Sequence, residues 1–127
     1  MLLDTSCFPL VFLREHAEAA APIDEQFERL LDRQLPFVLI TDHSLDHHGE
    51  ETPEERRNRA LFFKKVKDRM RRYCRGMIVI EGGKPTGAAV RLAAAAVSKA
   101  LGFAVHFEAD APHAAVKGLT LLDKDAA

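Results

Sequence analysis

In the middle of this chain, the spacing of apolar residues changes from that of a helix to that of a strand. Apolar residues recur at helical spacing through the basic stretch 53–75, and the run 77–81 (MIVIE) begins with four successive apolar residues. Thr52 and Glu55 form a T-x-x-E capping box at the helix start, and Gly76 is predicted to end the helix. The predicted buried stripe consists of Ala60, Phe63, Val66, Met70 and Tyr73 or Cys74. The pattern therefore predicts a helix–strand unit in the centre of an α/β fold.

The remaining segments repeat this alternation of strands and helices. Apolar or alternating runs predict strands at 8–14 (FPLVFLR), 36–42 (PFVLITD) and 103–108 (FAVHFE). Helical periodicity predicts helices at 22–33, 88–100 and 110–122. Residues 1–7 are predicted to be a loose lead-in or a short edge strand, and 123–127 a loose tail. We therefore expect one domain, 1–127, an α/β sandwich of about four mostly parallel strands with about four helices.

The composition is that of a single globular domain. The chain has 127 residues, of which 47% are hydrophobic and 29% charged, and this length suffices to bury a core. No apolar run approaches the roughly 20 residues of a membrane span, and the start lacks the pattern of a secretory signal. Cys7 and Cys74 form no spacing motif. We expect a cytoplasmic protein with free thiols and no membrane span.

Charge is distributed unevenly along the chain. Residues 54–75 contain ten Lys or Arg and three acidic residues, and the remainder contains eight basic and sixteen acidic residues. Such a helix can line a nucleic-acid backbone, but a solvated outer face with internal ion pairs is commoner, so no nucleic-acid partner is predicted. Complementary charges, together with the half-exposed edge strand 103–108, predict self-association, with a homodimer as one possibility.

The loop 42–51 contains the densest cluster of functional groups. It follows a central strand at its carboxyl end, where α/β sheets bind ligands. The predicted ligand- or partner-binding residues in this loop are Asp42, His43, Ser44, Asp46 and His47. An alternative hypothesis is a metal-dependent enzyme or metal-binding protein, whose ligands would be His43, Asp46, His47 and His48. A solvated polar loop explains the same composition.

A glycine-rich turn at 81–87 (EGGKPTG) is the second candidate site. The residues that would meet an anion at the start of the next helix are Gly82, Gly83 and Lys84. The turn has neither the P-loop nor the dinucleotide-binding spacing, so no cofactor is predicted. It supports a second alternative, a flavodoxin-like domain that binds a phosphate-bearing ligand at 82–86, whereas a tight turn with a helix cap at Thr86 explains it without a ligand.

The pattern resembles the SpoIIAA-like, or STAS-like, family of small bacterial α/β domains. The residues that carry the resemblance are FPLVFLRE, PFVLITD and RALFFKKVKDRMRRYCRGMIVIE, with FAVHFEADAPHAA similar where the last strand enters the closing helix. The resemblance implies a βα superhelix and a binding or regulatory module rather than an enzyme. The chain has no tryptophan, and Asp42-His43-Ser44-Leu45 stands in place of the family's D-S-x-G phosphoacceptor loop, so the resemblance does not extend to a phosphorylation switch.

The hypothesis that the sequence favours is a non-enzymatic STAS-like binding module. Its expected partner is a protein, a second copy of the chain or a small lipid-like ligand, with no catalytic residues and no resident metal.

Overall fold

The structure, a computed structural model, describes residues 1–14, 17–41, 52–82 and 87–126. The strands are β1 (Leu2–Asp4), β2 (Leu10–Arg14), β3 (Phe37–Thr41), β4 (Cys74–Ile80) and β5 (Val105–Glu108). The helices are α1 (Ile23–Asp32), α2 (Pro53–Tyr73), α3 (Ala88–Leu101) and α4 (Ala111–Ala126). The predicted α/β fold is confirmed, with five strands in the described part of the chain instead of about four.

The additional strand comes from the predicted lead-in. β1 pairs antiparallel with β2, so that Leu3 lies opposite Leu13, and the Leu3 side chain is buried against α1. Residues 2–4 are therefore part of the sheet, and the prediction of a loose lead-in there is wrong, whereas its alternative, a short edge strand, is confirmed. The apolar residues at positions 2 and 3 supply the only sequence pattern for this strand, which is too short for periodicity to identify.

The strands lie in the sheet in the order in which they occur in the chain. The order is β1-β2-β3-β4-β5, and every neighbouring pair after the first is parallel. Because the order never reverses, successive right-handed crossovers place α1, α2 and α3 on the same face of the sheet. β3 is in the centre and all five of its residues are buried, as the apolar run predicts for a strand covered on both faces.

Two apolar clusters hold the helices on opposite faces of the sheet. On the crossover-helix face, Phe27, Leu31, Val66 and Met70 pack against β3 residues such as Phe37. On the opposite face, the buried side chains that α4 covers are Leu10, Val38, Ile40 and Ile78, with Ala114 from the helix. Parallel neighbours point to the same face, so each cluster crosses several strands and ties them to its helices.

The boundaries of α2 are partly as predicted. The Thr52 hydroxyl accepts from the Glu55 amide at 3.1 Å, which confirms the cap. The helix ends at Tyr73, and Cys74 is already extended, so the predicted stop at Gly76 is wrong. Gly76 lies within β4 at φ 153°, where a Cβ atom would come within 3.0 Å of Leu121, and glycine is needed there for the approach of α4.

The predicted buried stripe of α2 is only partly correct. Val66, Met70 and Cys74 are buried, whereas Ala60 is exposed and Phe63 is half-buried. Phe63 packs edge-on against Phe27 of α1, with the ring centroids 6.0 Å apart. Truncation of Phe63 should therefore cost less than the 3–5 kcal/mol typical of a fully buried aromatic side chain.

The last strand and the closing helix complete the sheet. β5 is the edge strand opposite β1 and is half-buried along its length, as predicted. The helix before β5, α3, ends at Gly102, which is left-handed at φ 79°. Asp110 caps α4, since its carboxylate accepts from the His113 amide at 2.9 Å. α4 continues to Ala126, so the tail predicted to be loose is helical for most of its length.

Gly118 allows α4 to lie close to the sheet. A Cβ atom at this position would lie 2.7 Å from Leu10 Cδ2 and 3.4 Å from Val38 Cγ1. Glycine weakens a helix, but here its missing side chain determines the distance between α4 and the strands.

We predict that Gly118→Ala destabilises the protein. The change normally stabilises a helix by up to about 1 kcal/mol, but overpacking against Leu10 and Val38 costs about 1–3 kcal/mol. Urea unfolding should therefore show a net loss of about 1 kcal/mol. Thr120→Ala, an exposed change in the same helix, is the control and should not destabilise. A Gly118→Ala protein more stable than the parent would refute the close packing of α4.

Candidate functional site

The carboxyl end of the sheet is where the sequence places its first candidate site. The chain leaves β3 at Thr41, whose side chain is 1% exposed, and returns at Thr52. The predicted loop residues between these points are Asp42, His43, Ser44, Asp46, His47 and His48, and all of them lie outside the described residues. The partner-binding and metal hypotheses for this loop therefore stay predictions.

The glycine-rich turn is described only at its start. Gly82 is exposed and left-handed at φ 66°, and its amide donates to the Ala109 carbonyl at 3.1 Å. This bond continues the junction between β4 and β5, so the Gly82 amide is already engaged by protein. Gly83 and Lys84 lie outside the described residues, and phosphate binding at this turn stays a prediction.

The strand order affects what this end of the sheet can bind. In open α/β sheets the ligand crevice forms where the strand order reverses and neighbouring helices leave on opposite faces. The parallel strands β2 to β5 follow one another without reversal, so the described strands have no such switch point. The fold itself therefore gives no topological support for an enclosed ligand site there.

An aspartate–histidine pair lies at the start of α4. Asp110 Oδ1 is 2.6 Å from His113 Nδ1 and also accepts from the His113 backbone amide. The hydrogen bond and charge of Asp110 raise the pKa of His113, and the same contacts lower the pKa of Asp110. The pair is a charged helix cap, which favours a cationic His113 at the surface. The motif D-x-x-H identifies this pair only once the helix start is known, so the sequence pattern alone does not predict a role for His113.

The two cysteines differ sharply in their environment. Cys74 is buried, its thiol donates to the Gly76 carbonyl at 3.4 Å, and burial raises its pKa to about 12. A thiol with so high a pKa is a poor nucleophile at neutral pH, so Cys74 is a core residue. Cys7 is exposed. Across the described ranges, no group of three His, Cys, Asp or Glu side chains is placed to hold a metal ion.

Helices α1 and α2 are joined by an ion-pair cluster. Glu28 accepts from Arg69 at 2.6 Å and lies 3.6 Å from Lys65 Nζ, while Asp32 lies 3.6 Å from Arg69. The Arg69 hydrogen bond is the main reason that the pKa of Glu28 is lowered. These contacts confirm the expectation that part of the basic helix is paired internally.

The flank of α2 away from α1 keeps its positive charge. Viewed down the axis of α2, with about 100° of rotation per residue, five basic side chains fall within an arc of about 100°. They are Arg56, Arg57, Lys64, Lys67 and Arg71, and in the described part of the chain none of them has an ion pair. The Arg71 side chain lies against Gly102 at the end of α3. We call these five residues the basic flank.

Helix α3 presents small apolar side chains beside the basic flank. Its exposed residues without charge are Ala88, Ala89, Leu92, Ala93, Ala95, Ala96 and Ala100, which we call the α3 face. Leu92 is 73% exposed, and the helix contains no acidic residue. Contiguous exposed apolar residues mark interaction surfaces, so the α3 face next to basic residues without ion pairs is a candidate binding surface.

No helix in the described ranges has the length and apolar content required to cross a membrane. Comparisons with protein-family models, with curated proteins and with solved structures found no match to this chain.

We predict that Glu28→Gln weakens the protein at neutral pH but not in acid. The Arg69 hydrogen bond holds the pKa of Glu28 below 4.5 in the folded state, so the carboxylate stabilises the fold above that pH and loses its effect as the pH falls through the lowered pKa. Urea unfolding at about pH 7 should show a loss of about 1 kcal/mol or less. Glu25→Gln, which removes a more exposed pair with Arg29, is the control and should cost less. If Glu28→Gln lowers the free energy of unfolding equally at about pH 7 and in acid, the charge of Glu28 is not what stabilises the fold.

Proposed function

We propose that this chain is a non-enzymatic STAS-like binding module of the bacterial cytoplasm, and that its partner is a protein with an acidic, partly apolar surface. The observation that carries the proposal is the basic flank of α2 lying beside the α3 face. Charge complementarity selects an acidic partner, and the alanines allow a helix of that partner to approach closely.

The composition of this surface favours a protein over the other anionic partners. Membrane-surface helices insert bulky apolar side chains, whereas the α3 face, as defined above, has six alanines and one large apolar residue, Leu92. On α2, Leu61 is also exposed. A nucleic-acid backbone would use the basic flank and leave the α3 face without a function. A protein helix with acidic and apolar residues uses both parts of the surface.

The sequence-predicted loop is next to this surface in the chain. α2 begins at Pro53, immediately after 42–51, and its first basic residues are Arg56 and Arg57. In the proposal, Asp42, His43 and their neighbours extend the contact beyond the amino end of α2. This extension accounts for a polar, histidine-containing segment without requiring a metal.

Charge reversal on the basic flank should abolish partner binding. In Arg57→Glu with Lys64→Glu, both changed side chains are exposed, so the fold should be unaffected while attraction becomes repulsion. The matched control is Arg33→Glu with Lys117→Glu, which changes the net charge equally but leaves the basic flank intact. Proteins retained from a cell extract by the parent and the control, but not by the reversed variant, are purified and measured by calorimetry.

We expect direct binding by at least one purified partner, weakened tenfold or more by the reversal and by added salt, and unchanged in the control. If every directly binding protein is held equally by the reversed variant, the basic flank is not the partner site. Loss of binding in both double variants would point to net charge alone.

A further inference from the structure

The two edges of the sheet differ in whether their backbone groups are already used. An edge strand presents unpaired N–H and C=O groups on which another chain can pair. At the β1 edge, the Leu3 amide donates to Gln26 Oε1 at 2.8 Å, and Gln26 Nε2 donates to the Met1 carbonyl at 3.1 Å. The Gln26 side chain thus occupies the Leu3 amide and the Met1 carbonyl, two groups that a neighbouring strand would use, and blocks this edge.

The β5 edge has the opposite property. Met77 and Glu81 of β4 donate to the carbonyls of Ala104 and Glu108, so these groups of β5 point towards β4. Because backbone groups alternate along a strand, the N–H and C=O groups of Val105 and Phe107 point outward.

Nothing described in the chain occupies these outward groups. Within the described ranges, no residue donates to or accepts from the backbone of Val105 or Phe107. The preceding outward carbonyl, that of Phe103, accepts from the Ser98 hydroxyl at 2.6 Å, so α3 covers the edge only up to the start of β5. The open stretch therefore carries four backbone groups.

We infer that a second copy of this chain pairs with β5, antiparallel and centred on His106, to form a two-fold dimer with one continuous sheet. In this register Val105 of each copy lies opposite Phe107 of the other copy. The two hydrogen-bonded pairs that result use all four outward groups of each strand. His106 faces its own symmetry mate in the central pair.

The neighbouring side chains suit this arrangement. Val105 and Phe107 lie on the crossover-helix face, where a branched and an aromatic side chain form a favourable cross-strand pair. Arg91 lies over the Phe107 ring at 4.7 Å, and on the same flank of α3 Ala88 and Ala95 are three and four residues away. These small side chains leave room for the α3 of the second copy.

The closed β1 edge explains why pairing ends at two copies. A two-fold axis relates the two β5 strands, so both open edges are consumed in one contact. Each outer edge of the dimer is then a β1 strand, where the Gln26 side chain already occupies the Leu3 amide and the Met1 carbonyl. The chain therefore forms a closed dimer and not a growing sheet. Ala88 and Ala95 of the α3 face then lie in the dimer contact. The basic flank and the alanines on the other side of α3, Ala89, Ala93, Ala96 and Ala100, stay exposed on both copies. The dimer is therefore compatible with the proposed function but does not depend on it.

Cysteine cross-linking tests the register. In a Cys7→Ser background, with Cys74 buried, His106→Cys places two thiols in a directly opposed pair whose Cα atoms are about 4.5 Å apart. Glu108→Cys on the same face is the matched control, because each Glu108 lies opposite Ala104 of the other copy and about 13 Å from its own symmetry mate. Mild oxidation should link His106→Cys into a covalent dimer and leave Glu108→Cys largely unlinked. Equal linking of both variants would overturn the register.

Val105→Pro tests, without adding a thiol, whether the outward backbone groups of β5 form the dimer. Proline removes an amide that points away from β4, a position that edge strands tolerate, so the fold should be retained by circular dichroism. Sedimentation equilibrium should show a dimer for the parent at about 100 µM and a dissociation constant at least tenfold weaker for Val105→Pro. A parent protein that stays monomeric at about 1 mM, or a dimer unaffected by a folded Val105→Pro, would overturn the inference.

Discussion

The order of the strands is the constraint on which the rest of this structure depends. A sheet whose parallel strands never reverse order puts every crossover helix on one face, so three helices cover one side and α4 alone covers the strands on the other in the part that the structure describes. The sheet is about 19 Å wide across its five strands, and a helix is about 10 Å across. α4 must therefore lie close to the central strands, which explains the glycines at positions 76 and 118 that face the helix–sheet contact.

The strand order also favours recognition at the outer surfaces of the helices over recognition in a cleft. In the described part of the sheet the strand order has no switch point between diverging helices. The candidate recognition surfaces are therefore the exposed outer sides of α2 and α3. Glu28 and Asp32 neutralise one side of α2, and the basic flank stays charged on the other. An ion-pair cluster that holds α1 and α2 together thereby also determines which basic residues are available to a partner. The two sheet edges show a comparable division, one closed by Gln26 and the other open.

Local sequence patterns predicted the features that depend on local physics. The cap at Thr52 and the helix stop at Gly102 follow from short motifs, because a hydroxyl or a left-handed glycine acts on its own helix end. The roles of Gln26 and Gly118 were not predictable, since they depend on which strand or helix lies next to them in three dimensions. For the candidate site, charge counting identified the basic helix but not which residues are paired across to α1. The loop 42–51 lies outside the described residues, so the sequence remains its only support.

The central claim is that one edge of the sheet is closed within the chain and the other is completed by a second copy. Amide hydrogen exchange, measured by NMR at about 10 µM and about 1 mM, tests it most directly. The Leu3 amide, bonded to Gln26, should be protected at both concentrations, as should His106 and Glu108, which point to β4. The amides of Val105 and Phe107 should exchange rapidly when dilute and become protected when concentrated. Concentration-independent exchange at Val105 and Phe107, or rapid exchange at Leu3, would contradict the account.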